Sequence, residues 1–272
     1  MDYTNCIICN KDKFELFSTF NLDVKKFTLV KCLNCNFVYL NPRIKEVDIS
    51  KFYSNNYQPF QKKISFINII YSVVRKINFI FKYKIINKYN KRGRILDIGS
   101  GDNFFSNKME SKGWESYSYD KFYNSKSSIQ NFSSLNSNSF DCITLWHSIE
   151  HMYDVDDIFK NINNLLHKDG YLYIACPNID ASEIDIINEN WIAFDIPRHL
   201  YHFNFYSMQK FLNKYNFKIV DIHNLTIDSL YNVFLSKNTN MFKKIFAYLR
   251  TLIIQFFNKK RSSTIIYICK LK

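Results

Sequence analysis

Three groups of residues have types and spacings that could do chemistry. Cys6-x2-Cys9 and Cys32-x2-Cys35 are two thiol pairs with 22 residues between them. Two turns that each present two thiolates can close a tetrahedral four-sulfur site around Zn2+, and such a site has no open position, so the metal would be structural. The second group is a loop, Asp97-Ile-Gly99-Ser100-Gly101, with Asp120 following it after a further strand. Glycines let a backbone approach a ligand closely, a helix N-terminus after them favours a carboxylate or phosphate, and a carboxylate at the next strand end can accept from ribose hydroxyls. The third group is His147-x-x-Glu150-His151, with His199, Tyr201 and His202 further along. Histidine near its ordinary pKa suits proton removal.

Those groups need elements to hold them. Strand-like runs are expected at Phe14–Phe20, Phe27–Lys31 and Phe37–Leu40, in a cysteine module over residues 1–44 with a connector to residue 60 that includes Pro59. From Ile64 to Tyr89 apolar residues recur at helical spacing with Lys and Arg between them, which predicts amphipathic helix. After Arg94 the pattern alternates. Strands are expected at Arg94–Ile98, Glu115–Asp120, Phe140–Trp146, Tyr171–Cys176, Phe217–His223 and Thr264–Leu271. Helices are expected at Asn103–Lys112, Asp154–Leu166, Ser207–Tyr215 and over residues 234–258. Strands alternating with helices argue a doubly wound, mostly parallel sheet, whose ligands bind beyond the carboxyl ends of the strands. The glycine loop, Asp120 and the His147–His151 segment all fall at such ends. Cys142, Cys176 and Cys269 fall within strands and read as core residues.

Charge and composition exclude some classes. The 272-residue chain carries a net charge of +13, but residues 61–94 hold ten Lys/Arg and residues 240–261 hold six, with no Asp or Glu in either segment. The remainder is slightly acidic. Lysine far outnumbers arginine, which argues against a nucleic-acid partner, because planar bidentate contacts favour arginine. No apolar run reaches membrane-spanning length, and the first residues carry no signal-peptide core, so a cytoplasmic chain is expected, with thiols reduced. The two basic amphipathic stretches, 64–92 and 240–261, read either as helices packed on the core or as a peripheral contact with anionic membrane. A zinc-peptidase reading of His147-x-x-Glu150-His151 needs the motif inside a helix and a distant third ligand; here it directly follows a buried strand.

Leu96-Asp-Ile-Gly-Ser-Gly101 resembles the first motif of class I S-adenosylmethionine-dependent methyltransferases, whose third glycine position is taken here by Asn103. The segment Phe140-Asp-Cys-Ile running to Glu150-His151, and Leu165 to Asn178 with its Lys168-Asp169-Gly170 turn, resemble later motifs of the same family. Residues 191–203 and the ending Cys32 to Pro42 resemble a subgroup that carries an N-terminal four-cysteine zinc module and is often found in surface-polysaccharide or sugar modification. The resemblance implies a Rossmann-like, doubly wound, mostly parallel seven-stranded sheet with a zinc ribbon in front and extra amphipathic helices. It implies a division into residues 1–60, 61–92 and 93–272, with a helical insertion at 234–258. It implies S-adenosylmethionine held by Asp97, Gly99, Ser100, Gly101 and Asp120, with Asn131 toward the adenine and Trp146 as a wall. A structural zinc on Cys6, Cys9, Cys32 and Cys35 completes the implied set. The acceptor would be a small molecule, sugar or glycan, free or linked to nucleotide or lipid. His151 is the expected base, with Glu150 orienting it and His147 and His199 as further candidates. An RNA base methyltransferase with a zinc module, and a protein that binds the cofactor without turnover, are the alternatives.

Overall fold

The computed structural model describes residues 1–22, 25–53, 66–123 and 128–272, with only the backbone path over 66–71. The connector around Pro59 and the expected helix start at Ile64 lie outside those residues. Among the described residues, ten strands form two sheets.

The first sheet is antiparallel and joins β1 (Phe14–Leu22), β2 (Lys25–Cys32) and β3 (Val38–Leu40). A short strand from much later in the chain, β8 (Tyr201–His202), extends it by pairing Val38 with His202 and Tyr39 with Tyr201. The cysteine module is therefore built into the rest of the protein. Its Phe27, Leu29 and Phe37 share one continuous core with Leu96, Ile98 and Leu145 of the larger sheet.

The larger sheet comprises β4 (Arg94–Ile98), β5 (Glu115–Tyr119), β6 (Phe140–Trp146), β7 (Leu166–Pro177), β9 (Phe217–Asn224) and β10 (Thr264–Leu271). Its order is β5-β4-β6-β7-β10-β9. The β5, β4, β6 and β7 neighbours are parallel, and β10 runs antiparallel to both β7 and β9. Six strands stand where seven were expected. Residues 128–139 supply no strand because Ile129, Phe132 and Leu135 recur every third residue. That spacing suits a turn rather than the period of two that a strand needs. The segment forms a single 3-10 turn at Phe132–Ser134, with the Phe132 ring 4.4 Å from that of Tyr119.

Helices cover both faces, as alternating burial along the strands requires. On one face, α2 (Phe66–Tyr89) and α3 (Phe104–Glu110) bury Phe79, Ile86, Phe105 and Met109 against Ile95, Cys142 and Tyr173. On the other, α4 (Val155–Leu165) and α6 (Phe205–Lys214) bury Phe159, Ile162, Met208 and Phe211 against Ile143, Leu145 and Leu172. Two one-turn helices, α1 (Glu46–Ile49) and α5 (Ile184–Ile187), sit in connections. The helix expected over 234–258 is α8 (Met241–Phe257), and a further helix that the pattern did not predict, α7 (Thr226–Leu235), ends where the expected stretch began. They are separated at Asn238, which has a positive φ of 50°, and Asn240 caps the second by accepting from the Lys243 amide at 2.9 Å. The Lys168-Asp169-Gly170 turn does not precede β7 as a free turn. It bulges from within that strand, so that Phe140 pairs with Leu166 and Cys142 with Tyr171.

Candidate active site

The loop after β4 folds as its residue types dictate. Gly99 and Gly101 have φ of +76° and +54°, and Asn103, at the third glycine position, takes the same left-handed region at +61°. Asparagine is one of the few residues that occupy it readily. Its side chain is used as well. Asn103 accepts from the Ser100 hydroxyl at 2.7 Å and donates to Ser128 at 3.1 Å, which also receives the Ser118 hydroxyl at 3.2 Å. This net staples the loop to β5. A β-carbon on Gly99 would lie 2.3 Å from that of Ser148, whose hydroxyl donates to the Ile98 carbonyl at 3.0 Å. A β-carbon on Gly101 would meet nothing within 4 Å. The loop is thus closed at Gly99 by β6's exit and open at Gly101.

Asp97 is buried, and the Thr144 hydroxyl donates to it at 2.7 Å. Burial raises its carboxyl to about 6, against the Thr144 bond and the ammonium of Lys82, which pull it down. Lys82 reaches in from α2, 4.5 Å over the Trp146 ring, and burial lowers its own pKa to about 8. Arg75, two turns earlier on α2, donates from Nη1 to Asp102 in the loop at 2.7 Å and lies over Phe104. Asp120 accepts from the Gly101 amide at 2.8 Å and from the Phe122 and Tyr123 amides at 2.9 Å. A carboxylate has about four lone-pair sites, so one remains for a ligand hydroxyl. Trp146 is packed edge-on to Phe105 at 5.4 Å and lies against the α2 side of the sheet. Asn131 is exposed, and its side-chain oxygen accepts from Ser133; it starts the 3-10 turn there.

Beyond β6 the chain reverses sharply at His147, whose φ is +52°. His147 is clamped between two carboxylates, with Nε2 3.0 Å from Asp228 on α7 and Nδ1 3.5 Å from Glu150. Burial alone would lower its pKa, but the two carboxylates raise it to about 9. It is an imidazolium near neutral pH, and so a fixed charge in place of a base. Glu150 is 1% exposed. Burial works to raise its pKa, but the contacts with His147 and the neighbouring imidazoles hold it near 2. The zinc-peptidase geometry is absent: Ile149–His151 form a 3-10 turn, and His147 turns away to Asp228.

His151 sits in this turn with Nδ1 3.0 Å from the Arg198 carbonyl. A carbonyl only accepts, so Nδ1 carries the proton and Nε2 keeps a lone pair. Burial and the neighbouring His199 lower its pKa to about 4. The His199 ring lies 4.6 Å away at 72°, and its Nδ1 is 2.8 Å from the Ala193 carbonyl. His202, also buried, is lowered to about 3 by burial and His199. The loop that bears these histidines is fixed from two sides. The Leu200 amide donates to the Glu150 carbonyl at 2.8 Å, and the Leu200 carbonyl accepts from the Leu40 amide of β3 at 2.9 Å.

Sequence reasoning passed over Tyr53, Ser148, Lys82, Arg198 and Asp228. The Tyr53 hydroxyl is 3.3 Å from His151 Nδ1, and its phenol feels the charges of both Asp120 and Glu150, so it spans the two halves of the site. Nothing local marks such residues, since each arrives from a separate element.

The four cysteines also converge. Cys6 and Cys35 sulfurs are 3.4 Å apart, Cys9 and Cys32 sulfurs 3.5 Å, and all four lie within 4.8 Å of one another. A tetrahedral Zn–S length of about 2.3 Å puts sulfurs about 3.8 Å apart, so the set fits zinc. The two knuckles repeat one pattern. Cys6 N donates to Lys11 O and Asn10 N to Cys6 O, while Cys32 N donates to Phe37 O and Asn36 N to Cys32 O. Asn10 and Asn36 both have positive φ, where glycine is common elsewhere.

The methyltransferase-domain family matches residues 62–222, more than half of the chain. No curated protein matches it. Solved structures resemble it at low identity. Phosphoethanolamine N-methyltransferase 2 of Haemonchus contortus, in complex with S-adenosyl-L-methionine, is 13% identical over 94% of this chain and 71% of that one, with a TM-score of 0.50. A protein of Pyrococcus horikoshii OT3 is 12% identical over 81% and 99%, also at 0.50. A SAM dependent methyltransferase from Archaeoglobus fulgidus is 18% identical over 76% and 100%, at 0.48. The chain belongs to the methyltransferase-domain family and has the fold of its S-adenosylmethionine-dependent class I members.

Proposed function

We propose that this methyltransferase moves a methyl group from S-adenosylmethionine to a small or sugar-type acceptor bound beside Glu150, His151 and His199. The observation that carries the reading is that Ser148 joins the two halves. It packs on Gly99 of the cofactor loop and leads two residues later into the buried Glu150–His151 turn. When bound, S-adenosylmethionine supplies a methyl group on a sulfonium, which a nucleophile attacks in line. The open space over Gly101 and the last lone pair of Asp120 suit its amino-acid and ribose parts. Asp97 would face its ammonium. His151 Nε2 takes the acceptor's proton as the new bond to the methyl carbon forms; the carbon–sulfur electron pair returns to sulfur. The His147 imidazolium fixes Glu150 behind it. A small acceptor accords with the amine substrate named for the Haemonchus contortus neighbour.

Asp97 gives this reading a pH test. Its folded-state pKa of about 6 is raised, so it is neutral below that value and ionised above it. A bound ammonium favours the ionised form. Affinity for S-adenosylmethionine is therefore expected to rise from pH 5 to 7, with proton release on binding below about pH 6.5. Calorimetry across that range in buffers of different ionisation heat measures both. Asp97→Asn flattens the profile. A steep profile retained in that variant would remove Asp97 from the cofactor site.

We also propose that α8 rests on an anionic lipid surface. Phe242, Phe256 and Phe257 are 86%, 81% and 82% exposed, alongside Phe246, Leu249 and Ile253. Lys243, Lys259 and Lys260 flank these apolar residues, and Arg250 and Arg261 are already paired with Asp185. Aromatic side chains with lysines around them match a headgroup–acyl boundary. Among the described residues no helix is long and apolar enough to cross a membrane. Co-sedimentation with vesicles containing phosphatidylglycerol should fall at least about tenfold in Phe256→Ser/Phe257→Ser, a loss of about 1.4 kcal/mol. Equal binding to neutral vesicles would end the proposal.

A further inference from the structure

We infer that Glu150, His151 and His199 form a site for one divalent cation, separate from the four cysteines. One oxygen or nitrogen from each lies within 4.8 Å of the others. Among the described residues only this trio and the cysteine set converge in this way. Ligands at about 2.1 Å from a metal stand about 3 Å apart when adjacent, so a small closing movement completes the set.

The donor chemistry points the same way. Both histidines have Nδ1 at a backbone carbonyl, that of Arg198 at 3.0 Å and that of Ala193 at 2.8 Å. Carbonyls accept only, so both Nδ1 atoms are protonated, and each ring can turn an Nε2 lone pair inward. Metal-bound histidines are ordinarily held by this outer bond. Glu150 is buried at 1% exposure, and neither of its oxygens has a hydrogen-bond partner among the described residues. Its contact with His147, at 3.5 Å, is longer than a hydrogen bond. His199 Nε2 is also 3.6 Å from Asp195, whose carboxylate Arg198 holds. A buried carboxylate without a hydrogen bond thus stands beside two imidazoles whose second nitrogens are acceptors, an arrangement that a cation resolves. Two imidazoles and a carboxylate with open positions suit a borderline divalent ion such as Mn2+, Fe2+, Co2+ or Zn2+.

The consequence rests on the methyl-transfer reading. A cation here would take an acceptor hydroxyl oxygen into an open position and lower its pKa. The hydroxyl proton leaves to solvent, the oxygen–methyl bond forms, and the carbon–sulfur pair returns to sulfur. His151 Nε2 then serves as ligand, and the ion does the work assigned to the free base.

The test titrates the zinc-loaded chain with Mn2+, following loss of the aqueous Mn2+ electron paramagnetic resonance signal. Hard Mn2+ leaves thiolate-bound zinc in place. One Mn2+ per chain is expected, with affinity at least tenfold weaker in Glu150→Gln and in His199→Gln. Zinc content and circular dichroism show whether each variant folds. His199→Ala and His151→Asn provide independent variants should one fail. No binding below millimolar Mn2+, or equal binding in every folded variant, overturns the site. Mn2+ binding with methyl transfer unaffected by its removal keeps the site and refutes the Lewis-acid role. Absence of methyl transfer under every condition, with Mn2+ still bound, counts against the methyl-transfer reading and leaves the cation site standing.

Discussion

Gly99→Ala should cost about 3–5 kcal/mol of stability and abolish S-adenosylmethionine binding. Two separate penalties meet there. The residue sits at φ +76°, and a left-handed conformation costs a non-glycine residue about 1–3 kcal/mol. The new methyl would also lie 2.3 Å from the Ser148 β-carbon. Ser148 cannot step aside cheaply, because its hydroxyl is bonded to the Ile98 carbonyl and it stands between His147 and Glu150. Either the loop moves, and the cofactor edge is lost, or the turn after β6 moves, and the acceptor side is lost with it. For a chain of this size the melting temperature should fall by roughly 6–15 °C. Gly101→Ala is the control. Its φ is +54°, but its β-carbon would meet nothing. It should lose only about 1 kcal/mol of stability while weakening cofactor binding, because the methyl fills the space the ligand needs. Thermal unfolding and calorimetry read both variants. A Gly99→Ala protein with unchanged melting temperature and cofactor affinity would show that the loop is not pinned between Ser148 and the ligand.

The scaffold of this site was legible because its signals are local. Strands β4 and β6 follow from short apolar runs stopped by glycine or by polar residues. The Asn103 substitution could be read because asparagine tolerates left-handed φ, and that is the conformation it takes. The count of seven strands came from the resemblance alone; the residue patterns predict the six that the larger sheet has among the described residues. Helix α7 was missed and the start of α8 placed early because the break between them has neither proline nor glycine; it is made by Asn238 and the Asn240 cap. The charge state of His147 was out of reach. It depends on Asp228, 81 residues away on an unforeseen helix. Asp97 with Lys82, and His151 with Tyr53, are likewise pairs made only by packing. A sequence shows which residue types reach a sheet edge. It does not show which neighbour arrives from another element, and that neighbour sets the pKa and the tautomer.

Chelating the zinc that the four cysteines would hold is expected to stop acceptor turnover while S-adenosylmethionine still binds. A structural zinc contributes about 10–16 kcal/mol in isolated modules, far more than β1, β2 and β3 could supply alone. Without it the knuckles at Cys6–Asn10 and Cys32–Asn36 lose their shape, and β3 loses its anchor. That strand pairs with β8, and its Leu40 amide holds the Leu200 carbonyl between His199 and Tyr201. Lys210 donates to the Cys35 carbonyl at 3.2 Å and Lys214 to that of Ile7 at 2.8 Å, so α6 is tied to the same module. The histidine loop would shift, and a displacement of about 1 Å at a reacting centre can cost roughly 10²-fold in rate. The cofactor loop has other supports: Asn103 and Ser128, Asp120, and the Arg75–Asp102 pair on α2. Its affinity should change by less than about 0.5 kcal/mol, or roughly twofold. Cys32→Ser, or zinc withdrawal by a strong chelator, tests this when turnover and cofactor binding are followed on one sample. Turnover that survives metal loss would make the ribbon an independent module. Loss of turnover and cofactor binding together would show that the shared core melts as one unit. Loss of turnover alone is the outcome that the β3–β8 pairing predicts, and it would place the ribbon among the parts that shape the acceptor side.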